Sequence, residues 1–308
     1  MKRLSGLIAA TFTPMDDQCA INVEPIQSMV DSLVDQGVNG LYVCGSTGEG
    51  PSLTTQERQI VAESFVRAAD GRIPVVVQVG HNSIEDARAL AKHAEEVGAD
   101  AISAVPPTYF KPNNLSELVD TLEPVTAAAS QTPFYYYHIP VLSGLGFDMP
   151  EFLKMARAQI PTLAGIKFSS RDLDMMQQCQ RVDDGRFNIL FGVDEMLLSG
   201  LAAGCDGAVG STYNFLAPLF QNVKKFFDSG DLPAARAAQA KAIDIIQVLI
   251  SYGGNPGLKA AMSLSGHPCG PTRLPLKAVR GERLEQLKKE LDALGFSECT
   301  SIGAHSNA

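Results

Sequence analysis

Lys167 stands in Leu163-Ala164-Gly165-Ile166-Lys167-Phe168-Ser169-Ser170, an apolar run that carries one amine near its end and stops in small hydroxylated residues. Burial strips water from an ammonium and so favours the neutral amine, which is the nucleophile of Schiff-base chemistry. The plainer alternative is a lysine that snorkels its head to water from an edge strand. Other strand-like runs also end in reactive types. Gly45-Ser46-Thr47-Gly48-Glu49-Gly50-Pro51 is a small, hydroxyl-bearing turn suited to a small anion, and no Gly-Lys-Ser/Thr follows that would make it a nucleotide loop. Tyr135-Tyr136-Tyr137-His138 alternates, so Tyr135 and Tyr137 share one face and Tyr136 and His138 the other. A tyrosine run also serves packing, and His138 is expected to be a hydrogen-bonded structural residue. Gly192-Val193-Asp194-Glu195 places two carboxylates at a helix start, where the helix dipole alone favours them. Gly210-Ser211-Thr212-Tyr213-Asn214 is again small and hydroxylated.

The elements that must carry these ends alternate. Short apolar runs at Gly6–Thr11, Gly40–Val43, Ile73–Val79, Ala101–Val105, Phe134–Tyr137, Leu163–Phe168, Asn188–Phe191 and Gly207–Gly210 are separated by helix-period segments. The repeat of roughly 25 to 35 residues is that of βα units in a parallel sheet. Helices are expected over Glu24–Gln36, Thr55–Ala69, Ser83–Val97, Leu115–Ala129, Met149–Ala158 and Asp194–Ala203. Thr54 and Glu57 form a capping-box pattern, and Gly37, Gly98 and Gly204 follow helical runs where a left-handed cap is wanted.

Eight alternations predict a (β/α)8 TIM barrel over residues 1–228, in which active sites lie at the carboxyl ends of the strands. A doubly wound sheet competes, but no Gly-x-Gly-x-x-Gly follows the first strand. Residues 229–296 read as a C-terminal helical extension packed on the barrel, with helices at Pro233–Tyr252, Gly257–Leu264 and Val279–Leu294 after a last barrel helix at Leu216–Asp228. Residues 297–308 read as a disordered tail.

The composition excludes several functions. A net charge of -9 over 308 residues argues against a nucleic-acid partner, and no apolar run reaches the roughly 18 residues of a membrane span. Six cysteines without a Cys-x-x-Cys pair and five histidines without metal spacing point to free thiols, no disulfide framework and no metal. The basic start Met1-Lys2-Arg3-Leu4 leads into a strand-length run rather than a signal peptide, so a cytoplasmic protein is expected.

The markers Gly45-Ser46-Thr47-Gly48-Glu49, Tyr137-His138-Ile139-Pro140 and Gly165-Ile166-Lys167, at their spacing, resemble those of the class I pyruvate aldolases of the dihydrodipicolinate synthase and N-acetylneuraminate lyase superfamily, over about residues 4–265. Leu142 stands where dihydrodipicolinate synthases typically carry an arginine, and Pro140–Gly144, Phe191–Glu195 and Gly207–Asn214 look like the sialic acid lyase branch.

The resemblance implies reversible cleavage of N-acetylneuraminate to N-acetylmannosamine and pyruvate. It also implies no cofactor beyond a covalent imine at Lys167, and a homotetramer. It gives Tyr137 the proton relay, and gives Tyr109 a place in a neighbouring subunit's site. Ser46 and Thr47 would hold the substrate carboxylate, while Ser169, Gly192, Asp194, Glu195 and Ser211 would meet the sugar tail. Two alternatives remain: a sibling aldolase acting on another 2-keto-3-deoxy sugar acid or making dihydrodipicolinate, and a non-catalytic sugar-acid binder that kept the fold.

Overall fold

The computed structural model describes residues 3–300. Eight parallel strands close on themselves in sequence order: β1 Gly6–Ala10, β2 Gly40–Val43, β3 Val75–Gln78, β4 Ala101–Ala104, β5 Phe134–His138, β6 Leu163–Phe168, β7 Asn188–Phe191 and β8 Gly207–Gly210. The expected barrel is therefore the observed one. Its strands read as unbroken apolar runs because both faces are covered, the outer by helices and the inner by side chains from across the barrel. Closure comes from β1 pairing with β8 (Ile8 against Val209) as well as with β2 (Ile8 against Gly40).

Helices follow the strands: α1 Ile26–Asp35, α2 Thr55–Ala69, α3 Ile84–Glu96, α4 Leu115–Ala127, the single turn α5 Pro140–Ser143, α6 Met149–Gln159, α7 Leu173–Arg181, α8 Leu197–Ala202 and α9 Tyr213–Asp228. The capping box before α2 forms in full, Thr54 accepting from the Glu57 N–H while the Glu57 carboxylate accepts from the Thr54 N–H. Most barrel boundaries move by a residue or two from the pattern, and two differences there are larger. The segment expected as one helix over 194–203 breaks into a 3-10 turn, Asp194–Met196, followed by α8. Gln239 causes the break, donating to the Asp194 carbonyl (3.2 Å) and accepting from the Leu198 N–H (3.0 Å). Helix α9 begins three residues earlier than expected and is kinked at Leu216, two residues before Pro218.

The chain continues as α10 Leu232–Ser251, α11 Asn255–Leu264, α12 Glu282–Ala293 and α13 Phe296–Thr300. One buried apolar cluster runs from the barrel strands (Leu7) through the helices around them (Phe65 of α2, Phe152 of α6) into these helices (Ile245, Leu249, Leu287, Leu291). Helix α13 corrects the reading of a disordered tail from residue 297. Phe296 and Cys299 are buried there, with the Phe296 ring 5.8 Å from Phe215 of α9, and apolar burial holds the turn that polar composition hid. The rest of the expected tail, 301–308, lies outside the described residues. No helix among the described residues is long and apolar enough to cross a membrane.

Candidate active site

The barrel interior is filled by Ile8, Ala10, Tyr42, Val76, Ala101, Tyr135, Tyr137, Leu190 and Val209, among others. How Lys167 joins that face is set by a bulge. Phe134 pairs with Leu163 but Tyr135 pairs with Gly165, so Ala164 is an extra residue in β6. Beyond it Ile166 and Phe168 face the helices, and Lys167 pairs directly with Tyr137 of β5 and Leu190 of β7. The amine and the phenol are thus register neighbours at the carboxyl end of the barrel.

Lys167 is 4% exposed, and its Nζ lies 3.6 Å from the centroid of the Tyr42 ring and 4.1 Å from that of Tyr137. Desolvation pushes the amine down to about 7, opposed by the Asp194 carboxylate. At neutral pH roughly half the chains then carry a neutral amine, against fewer than about one in a thousand for an ordinary lysine. Burial also raises the Tyr137 phenol, while hydrogen bonds from Ser46 and Ser169 pull the other way. Tyr137 therefore keeps its proton.

These groups open into a cleft of about 960 Å³. The turn after β2 supplies Ser46, whose Oγ is 3.5 Å from the Tyr137 hydroxyl, and Thr47, whose Oγ1 is 2.6 Å from Ser211 Oγ of the β8 exit. Ser169 follows β6 and Gly192 follows β7, packed so closely that a Cβ on Gly192 would stand 2.1 Å from Ser169 Oγ. Asp194 and Glu195 line the same wall. Asp194 is partly committed: its Oδ2 accepts from both the N–H (2.9 Å) and hydroxyl (2.6 Å) of Thr212, and desolvation raises its acid to about 6. Among the expected site residues, Lys167, Tyr137, Ser46, Thr47, Ser169, Gly192, Asp194, Glu195 and Ser211 share this one cleft. Tyr109 does not. It lies outside, 80% exposed, edge-on against the equally exposed Phe110 at 4.9 Å.

His138 corrects its expectation in part. It is buried and structural, but among the described residues neither ring nitrogen has a hydrogen-bond partner. It is held instead by packing on Phe168 at 4.9 Å and near Tyr136, and burial lowers it to about 4, so the ring stays neutral.

Several cleft residues escape sequence reading because they come from the C-terminal extension. Ile246 and Ile250 of α10, Leu258 of α11 and Leu276 give the cleft an apolar part of its lining. Asn255, at the start of α11, donates to the carbonyls of Ser46 (3.2 Å) and Thr47 (3.4 Å). Glu49, with φ +55, turns the anion loop back, and its carboxylate is fully buried between Lys259 Nζ (2.7 Å) and the Arg273 N–H (2.8 Å). Arg273 in turn grips Glu57 through two nitrogens (2.7 and 2.6 Å), which holds that carboxyl down at about 2. The hydroxyl turn is thereby clamped from outside the barrel. Among the described residues no three His, Cys, Asp or Glu side chains group to hold a metal ion.

A neutral-poised amine at the carboxyl mouth of a parallel barrel is the equipment of a class I aldolase, which makes an imine with a ketone before breaking the adjacent carbon–carbon bond. The chain belongs to the Dihydrodipicolinate synthetase family, whose model matches residues 3–294. It is 42% identical over 298 residues to the N-acetylneuraminate lyase of Gallus gallus, covering 95% of this chain and 97% of that one. Among solved structures it resembles the Proteus mirabilis N-acetylneuraminate lyase, with a TM-score of 0.93, 40% identity and coverage of 96% of this chain and 100% of that one. It also resembles a Ruminococcus gnavus sialic acid aldolase solved as its catalytic lysine mutant, with a TM-score of 0.90, 30% identity and coverage of 96% and 97%.

The buried clamp makes a direct prediction. Glu49→Gln leaves the Lys259 ammonium without its counter-charge, and urea unfolding should show a loss of about 3 kcal/mol. Adding Lys259→Met should recover much of that loss. A cost under about 0.5 kcal/mol for Glu49→Gln would mean that the pair does not hold the turn.

Proposed function

We infer that this chain cleaves N-acetylneuraminate reversibly to N-acetylmannosamine and pyruvate through an imine at Lys167. The observation that carries the substrate is the near-full-length likeness, at 40 to 42% identity, to lyases of that name. Leu142 supports it: exposed at the cleft mouth, it offers no guanidinium to the dicarboxylic product of a dihydrodipicolinate synthase. The lysine that the R. gnavus neighbour's mutant names as catalytic supports an amine as the reacting group.

In this reading the carboxylate of the open-chain substrate sits on the Ser46–Thr47 turn, which fixes C2 against Lys167. The neutral amine adds to C2, forming a carbon–nitrogen bond while the carbonyl electrons move to oxygen, and a proton shed by the nitrogen passes to that oxygen to give the carbinolamine. A second proton, from solvent in the open cleft, lets the nitrogen lone pair expel the oxygen as water, leaving a cationic iminium. Removal of the C4 hydroxyl proton turns C4 into an aldehyde carbon and breaks C3–C4, whose electron pair flows into C2–C3 and neutralises the nitrogen as an enamine. Because Tyr137 holds its own proton, it acts as a relay, taking the C4 proton as it passes its own to Ser46, which hands its proton to the substrate carboxylate on the turn. The relay run back protonates C3, and water releases pyruvate. The imine is the electron sink, so the proposal includes no cofactor.

The sugar tail is assigned to Ser169, Gly192, Asp194, Glu195 and Ser211. A wall that hydrogen-bonds hydroxyls discriminates against analogues lacking them more strongly than an apolar one does. We further propose a homotetramer in which the exposed Tyr109 of one copy reaches the cleft of the next and supports Tyr137. The compartment proposed is the cytoplasm, consistent with six free cysteines, four of them buried.

Pyruvate release from N-acetylneuraminate, measured beside 2-keto-3-deoxygluconate and beside condensation of pyruvate with aspartate semialdehyde, decides the substrate. The sialic acid should be turned over fastest; turnover of either competitor without it would reject the assignment. Sedimentation velocity should give a four-chain mass, and a single-chain species would remove the proposed role of Tyr109.

A further inference from the structure

Tyr42 is absent from every role assigned so far, yet the amine lies over its ring, Nζ standing 3.6 Å from the ring centroid. The residue is buried in the barrel interior at 1% exposure. Its phenol donates to Ser103 Oγ (3.0 Å), and the Ser103 hydroxyl in turn donates to the Tyr135 carbonyl (2.8 Å). The hydroxyl is thus anchored on β4, and what Tyr42 offers Lys167 is its π face. The Tyr137 ring stands edge-on to it, centroids 5.6 Å apart at 73°, so the nitrogen sits in a corner made by two rings. Room for the Tyr42 ring comes from the first glycine of the hydroxyl turn, because a Cβ on Gly45 would lie 2.7 Å from the ring edge.

We propose that Tyr42 is a further catalytic residue, whose ring face stabilises the positive charge of the iminium formed at Lys167. The inference rests on the imine chemistry proposed above and deepens it. Nitrogen becomes cationic when water leaves the carbinolamine, and stays so until the C3–C4 electron pair arrives; it is cationic again after C3 is protonated. Both iminium states gain from a negative ring face, and the neutral enamine does not. A ring suits this position better than a carboxylate would. A buried carboxylate against Nζ would bind the ammonium so strongly that no neutral amine remained to attack, whereas the weaker attraction of a ring leaves the amine poised. Asp194, the carboxylate that acts on the amine among the described residues, is already hydrogen-bonded to Thr212. Desolvation raises the Tyr42 phenol far above its ordinary value and keeps it protonated, although the charge of the buried Arg58, held by the carbonyls of Gln78 and Gly80, pulls the other way.

The test separates the ring's charge distribution from its shape. Tyr42→Phe is the reference, and phenylalanines with one, two and three ring fluorines are then placed at position 42, which drains the negative face at nearly constant size. For each chain, pyruvate is titrated, borohydride fixes the iminium, and peptide mass mapping gives the fraction trapped on Lys167. The apparent iminium constant should fall steadily with each fluorine, by about threefold to thirtyfold across the series. A constant that ignores fluorination, with trapping on Lys167 intact, overturns the role of Tyr42 and leaves the imine mechanism standing. No trapping on Lys167 in any chain, the unsubstituted one included, overturns both.

Discussion

Everything in this molecule turns on the desolvation of one amine. An ammonium in water is comfortable; at 4% exposure between two tyrosine rings it is not, and the balance moves to about 7. The difference from 10.5 corresponds to roughly 5 kcal/mol, and the fold bears it. The sign is that of a depressed lysine. Between pH about 7 and 10.5 the unfolded chain binds a proton that the native chain has shed, so the stability contribution of this group rises with pH across that window and is at its lowest below it. Such a cost is typical of a functional site and is borne by the rest of the core.

The surroundings make sense as devices that keep this amine dry, oriented and supplied. The Ala164 bulge turns it inward, and direct pairing with Tyr137 sets a phenol beside it. Around it at the barrel mouth stand hydroxyls from the exits of β2, β6 and β8. The C-terminal extension does more than cover the barrel. Through Asn255, Lys259 and Arg273 it grips the turn after β2 at its carbonyls, at Glu49 and at the helix that follows, and through Ile246 and Ile250 it closes one wall of the cleft. A loop carrying a left-handed Glu49 needs such support, because a non-glycine residue in that conformation is uncommon unless its surroundings hold it.

How much of this was legible depends on the range of the interaction. Parallel strands buried on both faces announce themselves as short apolar runs, and Gly40–Val43, Leu163–Phe168, Asn188–Phe191 and Gly207–Gly210 are strands over the same residues that the pattern marks. The capping box at Thr54 and the positive φ of Gly37, Gly98 and Gly204 are equally local and equally readable. Helix α7 is harder to see, since it has only nine residues and its apolar stripe, Leu173, Met176 and Cys179, is short and includes just two buried side chains. The cleft was readable where strand ends carry reactive side chains. It was unreadable where contacts join residues some two hundred positions apart, as Glu49 with Lys259 or Asn255 with Ser46. His138 shows a third limit: residue type suggested hydrogen bonds, and packing on Phe168 replaced them. Tyr42 was visible only as a strand residue, because alternation gives the face of a side chain and not its distance from an amine.

The most direct test of a desolvated, reactive Lys167 is the pH dependence of pyruvate trapping by borohydride, followed by peptide mass mapping. Neutral amine is lost as pH falls below its midpoint, so the initial rate of adduct formation should be half-maximal near pH 7, with the adduct confined to Lys167. An adduct on another lysine, or a midpoint near that of an ordinary lysine at about 10.4, would contradict the mechanism at its root.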